Sequence, residues 1–493
     1  MYRNRFLFAL AMAGLAAILL PSPLPAQITF QRTYGGTDGD AGFSVQQTSD
    51  SGYIVAGYTY SFGAGGEDVY LIKTDASGDT LWTRTYGGTH DDDGGASVQQ
   101  TADGGYVVTG QTYRSDSEWV YVVKADPEGN FRWSRTYGDS WSKQGNSVRQ
   151  TTDHGCAVAG QAWTAGLRYQ AYLIKTDSVG DTMWTRTFGG TEDEAGYSVQ
   201  QTTDSGYIIA GCTYSFGADS GDVYLIKTNA GGDTLWTRTF GGAHEDWGNS
   251  VQQTSDGGYV VAGYTCSFGA GHADVYLIRT NANGDTLWTR TYGGADYDYG
   301  QSVEQTADGG YVIAGYTCSF GAGGADAYLI KTNSNGDTLW TRAFGGPGDD
   351  EGCSVQQTFD GGYVVGGFTY SFGAGFEDVY LIKTDSLGKV AVAVAEPKAN
   401  PTRAPALSLT CEPNPFRSST VLRFSSLLPP HSSLSIFDAA GRLVRSFSSL
   451  LSPHSSLTWD GTDDLGYALP SGAYFITLDA AGHHATARIV LQH

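Results

Sequence analysis

Six carboxylates recur in register along this 493-residue chain. Asp40, Asp93, Glu194, Asp246, Asp298 and Asp350 each stand four residues before the Ser of an SVQQT-like segment, with a Gly two residues before that Ser. Lys143 holds the seventh equivalent place. Acids repeated around one opening would make an oxygen-rich ring suited to a hard cation such as calcium. The same spacing suits acids that accept a backbone N–H and cap their own turns. Spacing alone leaves both readings open, and calcium is the one cofactor the chain brings into question.

A second set of acids lies in Asp-Gly-Gly turns at Asp103, Asp256, Asp308 and Asp360. Glycoside hydrolysis needs two carboxyls in different environments flanking one bond. Acids repeated with the chain have like environments, so hairpin turn chemistry accounts for them better. His244-Glu245-Asp246 lacks the second His of a zinc-protease helix. Gly196-Tyr197-Ser198 begins like a nucleophile elbow but lacks its second Gly.

Two loops break the repeat. Where others read SFGAGGED, one reads Arg114 to Trp119 and the next Thr164 to Gln170, and the loop before the latter contains Trp141. Aromatic faces stack on sugars or peptides, and Arg offers forked donors. Arg114, Trp119, Trp141, Arg168 and Tyr169 are therefore expected to form one shallow binding patch beside Lys143, the gap in the acidic series.

The elements that must carry these residues repeat as well. VYLIKT-like strands place Tyr at 70, 121, 172, 224, 276, 328 and 380, and the next strand places Trp at 82, 133, 184, 236, 288 and 340. A fixed period of about 50 residues marks a propeller, solenoid or array. Each repeat reads as four strands joined by turn residues. SVQQT is polar and is expected innermost, beside a channel. YIVAGYT and VYLIKT are apolar enough for burial on both faces, and the alternating Trp strand belongs outside. SVQQT-like strands begin at Ser44, Ser97, Ser147, Ser198, Ser250, Ser302 and Ser354. The last repeat lacks a Trp strand, and an orphan copy precedes the first, with Phe30 in the Trp position. The expected solution is an all-β, seven-bladed β-propeller over 27–389, closed by strand 28–34, because closure protects sheet edges.

Arg3 and Arg5, the apolar run Phe6 to Leu20 and Ala26 read as a signal peptide over 1–26. No later run is long and apolar enough to span a membrane. A net charge of −22 excludes a nucleic-acid partner, because no basic stripe exists to meet phosphates. Six cysteines give no disulfide framework. Cys266 and Cys318 share a repeat position and would sit roughly 10 Å apart on face-packed sheets, beyond the reach of a disulfide. Residues 390–408 read as a linker and 409–493 as a small β domain.

The repeats resemble secreted bacterial propellers of the kelch-like or quinoprotein-like kind. The last domain carries Pro413-Asn414-Pro415-Phe416, IFDAAGRLVR from Ile436, WDGTDDLG from Trp459, LPSGAYFITL from Leu469 and a terminal ARIVLQ. In these it resembles the C-terminal sorting domain of the type IX secretion system, similar to the FlgD-like immunoglobulin domain. The resemblance implies an immunoglobulin-like sandwich, the type IX machinery as partner, and a place outside the cell or on its surface. The whole chain reads as a non-catalytic binding or scaffold module for a surface glycan or protein. The alternative is a glycoside hydrolase-like enzyme on a propeller.

Overall fold

The computed structural model describes residues 27–88, 93–114, 117–139, 141–166, 168–218, 220–390, 409–424, 433–438, 442–448, 456–480 and 483–492. The expected signal peptide and almost all of the expected linker lie outside the described residues. The chain divides into two compact units, Met1–Ala395 and Glu396–His493. No helix occurs among the described residues.

The first unit repeats one four-stranded antiparallel sheet, in the manner of propeller blades. After a lone strand β1 (Phe30–Tyr34), the first blade is built from β2 (Asp40–Gln47), β3 (Tyr53–Thr59), β4 (Asp68–Thr74) and β5 (Thr80–Tyr86), in that order. The order recurs in sheets whose inner strands start at Asp93, Lys143, Glu194, Asp246 and Asp298. The last sheet contains Asp350–Gln357, Tyr363–Thr369 and Asp378–Thr384, and its fourth strand is β1. β1 pairs antiparallel with that third strand, from Phe30 opposite Lys383 to Tyr34 opposite Val379. Phe30 is buried and meets Tyr53 of the first blade edge-on at 5.9 Å. Trp82 does the same to Tyr106 of the second, at 5.8 Å. The repeated aromatic is thus a joint between neighbouring blades, and each Trp is capped by an Arg two residues on, as Arg84 caps Trp82.

The polarity of the strands follows their layer. β4 is buried along its whole length, β3 along almost all of it, and β5 is mostly exposed or half-buried. In β2 the register slips between Gly42 and Ser44, which bulges Phe43. The same slip occurs in the other six inner strands. A bulge re-aims the residue it carries.

The SVQQT segment is explained by what its polar groups bond. Ser44 Oγ accepts the Val98 N–H of the next blade at 3.1 Å. The equivalent bond repeats around the unit, and the Val45 N–H donates to Ser354 Oγ at 3.2 Å, closing the circle. The second Gln runs the other way: Gln100 Oε1 accepts the Ser49 N–H of the preceding blade, and Gln47 Oε1 accepts that of Phe359. Each such bond contributes about 0.5–1.5 kcal/mol net.

The second unit has a three-stranded sheet of Leu409–Glu412, Thr420–Phe424 and Ser456–Trp459. A four-stranded sheet holds Ser433–Asp438, Leu443–Ser448, Gly472–Ala480 and His483–Leu491. Its core gathers Phe416, Leu434, Ile436, Trp459, Ile476 and Ile489. Trp459 is fully buried and its indole N–H donates to the Thr462 carbonyl at 3.0 Å.

Candidate functional site

Each inner strand has two ends of different chemistry. At the Asp-Gly-Gly end, Asp50 Oδ1 accepts from Thr48 Oγ1 and the Gly52 N–H, and Lys73 Nζ, nearly buried, reaches Asp50 at 2.9 Å. The cluster recurs in every blade, with Arg279 replacing Lys once. Burial alone would raise these carboxyls. Bonds from Thr, the cation and Gly outweigh it and hold Asp153 and Asp204 down to about 2. These acids satisfy a turn and a buried cation.

At the opposite end lie the acids expected to ring the opening. Asp40 is fully buried; its Oδ2 accepts the Gly36 N–H and the Ser61 hydroxyl, each at 2.7 Å. Asp246, Asp298 and Asp350 make the same pair of bonds, Asp93 takes the Gly88 N–H, and Glu194 takes the N–H groups of Gly190 and Ser215. All six bond as caps on their own loops. Among the described residues no three His, Cys, Asp or Glu gather as metal ligands would. A second buried acid approaches most of them from the preceding blade: a Cβ on Gly35 would collide with both Asp40 and Asp378. The first Gly of the pair that ends six of the seven outer strands is therefore needed for lack of side chain. Crowding by burial raises Asp222, Asp274 and Asp326, with the neighbouring acid adding to it.

The four described side chains of the five residues expected to form one patch turn to different partners. Trp119 stands where Asp68 stands in the first blade, opposite Thr112, and its ring packs under Gly138. Lys143, in the equivalent place of the next acid, pairs with Asp139 at 2.5 Å. One interface has thus exchanged two acids for an indole and an ammonium. Arg168 turns to Glu192 and Asp193, both at 3.4 Å, and the Tyr169 N–H donates to Asp193. Trp141 is exposed in a groove with Trp163 and Lys143, and the Trp163 ring meets Tyr169 edge-on at 5.2 Å. The side chain of Arg114 lies outside the described residues.

The bulges build a different site. A cavity of about 500 Å³ at this mouth is lined by Phe43, Tyr197, Trp247, Tyr264, Tyr299 and Tyr316. Asn146, Asn249 and Gln301 complete it. Tyr197 stacks on Trp247 at 5.6 Å, Trp247 meets Tyr264 at 5.7 Å, and Tyr299 stacks on Tyr316 at 4.8 Å. Asn146 and Asn249 each donate to a Gly carbonyl of the next blade, at 3.0 and 2.9 Å, which fixes the amides. Burial pushes Tyr299 up to about 12, so its hydroxyl keeps its proton. On the other side of the mouth the equivalent positions form an amide chain: Gln161 donates to Gln144, and Gln144 to Glu118. The repeat carried the signal: the residues directly before and after the invariant Gly are where otherwise uniform blades differ most.

Below the mouth a narrower cavity of about 210 Å³ follows the channel, sharing Ser44, Ser250, Ser302 and Ser354 with it. Five blades present Gln at the middle of this channel; Arg149 and Glu304 take that place in two. Sequence reasoning passed over both as variants of SVQQT.

Residues 426–483 match the FlgD Ig-like domain family. The regulatory protein FlaEY of Caulobacter vibrioides is 27% identical over 168 residues, which are 29% of this chain and 17% of that protein. Among solved structures, PorZ, a surface component of the type IX secretion system of Porphyromonas gingivalis, aligns with a TM-score of 0.42 at 11% identity. That alignment covers 93% of this chain and 60% of PorZ. The Pan2 WD40 domain of Neurospora crassa aligns with a TM-score of 0.43 at 11% identity, over 73% and 97% of the two chains.

Proposed function

We propose that this is a non-catalytic binding module of the cell exterior: a seven-bladed β-propeller over 27–389, closed by strand 28–34, with a sorting domain over 409–493. The observation that carries the reading is the aromatic and amide lining of the mouth. Rings offer stacking faces and fixed amides offer hydrogen bonds, the combination that suits a neutral polyhydroxylated ligand such as a surface glycan. The acidic chain disfavours polyanions. The hydrolase alternative needs two carboxyls flanking one bond, and the described channel lining holds one, Glu304. The ring of buried acids is read as a set of caps, so calcium should leave the melting temperature unchanged.

A glycan array with the mature chain tests the binding reading, repeated with Trp247→Gln, the residue that the third blade has at that place as Gln144. Binding lost in the variant supports the mouth as the site; binding kept in full removes it. Export is tested apart: residues 409–493 fused to a periplasmic reporter should carry it outside a host with a type IX system. A reporter retained in the periplasm overturns that part.

A further inference from the structure

The channel below the mouth holds a charge arrangement that neither the ring nor the mouth requires. Six blades continue one hydrogen-bond ring: Gln46, Gln99, Gln200, Gln252, Glu304 and Gln356 each accept the N–H of a Gln in the following blade. Arg149 cannot, because a guanidinium has no acceptor to give Gln201. The third blade therefore forgoes a bond that the others make. In exchange a cation enters a lining otherwise made of Ser, Gln and Val apart from Glu304. One guanidinium N–H is held by the Val148 carbonyl at 3.1 Å, which leaves further donors.

Glu304 is the complementary exception. One of its oxygens takes the ladder bond from Gln357, and the other accepts no hydrogen bond among the described residues. Arg149 and Glu304 lie in each other's electrostatic reach and both line the 210 Å³ cavity, yet no ion pair joins them among the described residues. A cation and a carboxyl, separated within one polar cavity and connected to the mouth through shared Ser residues, match a ligand with the opposite charges at a similar separation.

We infer that the channel binds a small zwitterion, its carboxylate on Arg149 and its ammonium on Glu304. Guanidinium and carboxylate make charge-assisted bonds in two-pronged geometry. The ammonium would relieve Glu304, which burial lifts to about 7 against the pull of the Gln357 N–H and Arg149. A simple anion would leave Glu304 unrelieved and would meet the field of a chain of net charge −22.

The test uses the full mature chain and calorimetric titration with glycine, β-alanine, 4-aminobutanoate and 5-aminopentanoate, with acetate and methylammonium as controls. One chain length should bind, and both controls should be weaker by about tenfold or more. Arg149→Gln and Glu304→Gln each restore the residue that the other blades use, so folding is preserved. Each should lower affinity by about tenfold or more, while Arg149→Gln raises the melting temperature by returning an acceptor to Gln201. Trp247→Gln should leave this affinity unchanged, which separates the channel from the glycan reading. Failure of all four amino acids to bind, equal binding of acetate, or undiminished binding in Arg149→Gln overturns the proposal.

Discussion

The two ends of the inner strands contrast sharply. At the Asp-Gly-Gly end, the repeated sheets share one cluster of Thr, Asp and a nearly buried cation, and the single change, Lys to Arg279, keeps the charge. At the other end every inner strand bulges at the same place, but the bulged residue is in turn Phe43, Ala96, Asn146, Tyr197, Asn249, Gln301 and Cys353. A ring needs identical joints to close, so its uniform features report on closure. An oriented ligand needs unlike contacts, so recognition can reside only where the blades differ.

The contrast is most severely tested by removing the joint that belongs to neither end. Deleting residues 28–34 strips the last blade of its outer strand and exposes Tyr53, which Phe30 covers. The loss of Phe30 burial alone costs about 1.5–3 kcal/mol. The truncated chain should be insoluble or melt far lower; a soluble chain of unchanged melting temperature would show that β1 is dispensable.

Acid attacks the uniform end in all blades at once. The seven turn carboxyls sit below their ordinary values, Asp153 and Asp204 at about 2. A depressed folded value gives stability that is present above the unfolded value of about 3.9 and is lost as pH falls through the folded one. Asp68, Asp222, Asp274 and Asp326 at the other end are raised, so protonation favours the fold there as pH falls through their raised values. Melting temperature should hold or rise slightly on mild acidification, then drop between about pH 4 and about 2. A rise that continued below about pH 4 would mean that the mouth end, not the turn end, governs stability.

One cluster can be broken alone. Asp204→Ala leaves the Lys227 ammonium nearly buried with the Thr228 carbonyl as its remaining partner. It should cost about 1–3 kcal/mol in denaturant unfolding and leave ligand binding as it was. Trp247→Gln should differ in its effect on binding. Its lost stacking on Tyr197 and Tyr264 costs about 1 kcal/mol, while glycan affinity falls. If Asp204→Ala changed binding as much as Trp247→Gln, the division between the ends would fail.

Much of this was legible in the chain because repetition amplifies patterning. The order of the strands follows from polarity, and Phe30 stood out as a Trp-type strand with no sheet of its own. The partners of the acids were harder to read. Lys73 looks like a lapse in an apolar strand until the register brings it against Asp50, two turns back. Trp119 and Arg168 looked like surface binding groups because their loops are irregular. Packing under Gly138 depends on strand register within the blade, and pairing with Glu192 and Asp193 on the neighbouring blade, neither of which local sequence specifies. Tyr197, Trp247 and Tyr299 were hidden for the opposite reason: each is a single departure inside an otherwise constant segment, and only circular order assembles them.

The hydrogen-bond circles have a consequence for the gene. Every blade offers its successor the same Ser oxygen and receives the same backbone N–H, so outside the interface of Trp119 and Lys143 any two blades carry compatible edges. An in-frame duplication or loss of one unit would write no new interface. The strand that completes the ring lies at the start of the chain and its acceptor at the end of the array, so the seam would survive the change. Near-identical coding units are also the substrate on which unequal recombination acts. What fixes the number of blades is then the angle at which the edges meet, while the exceptional residues, Arg149, Trp247 and Glu304, are what a recombining array stands to lose.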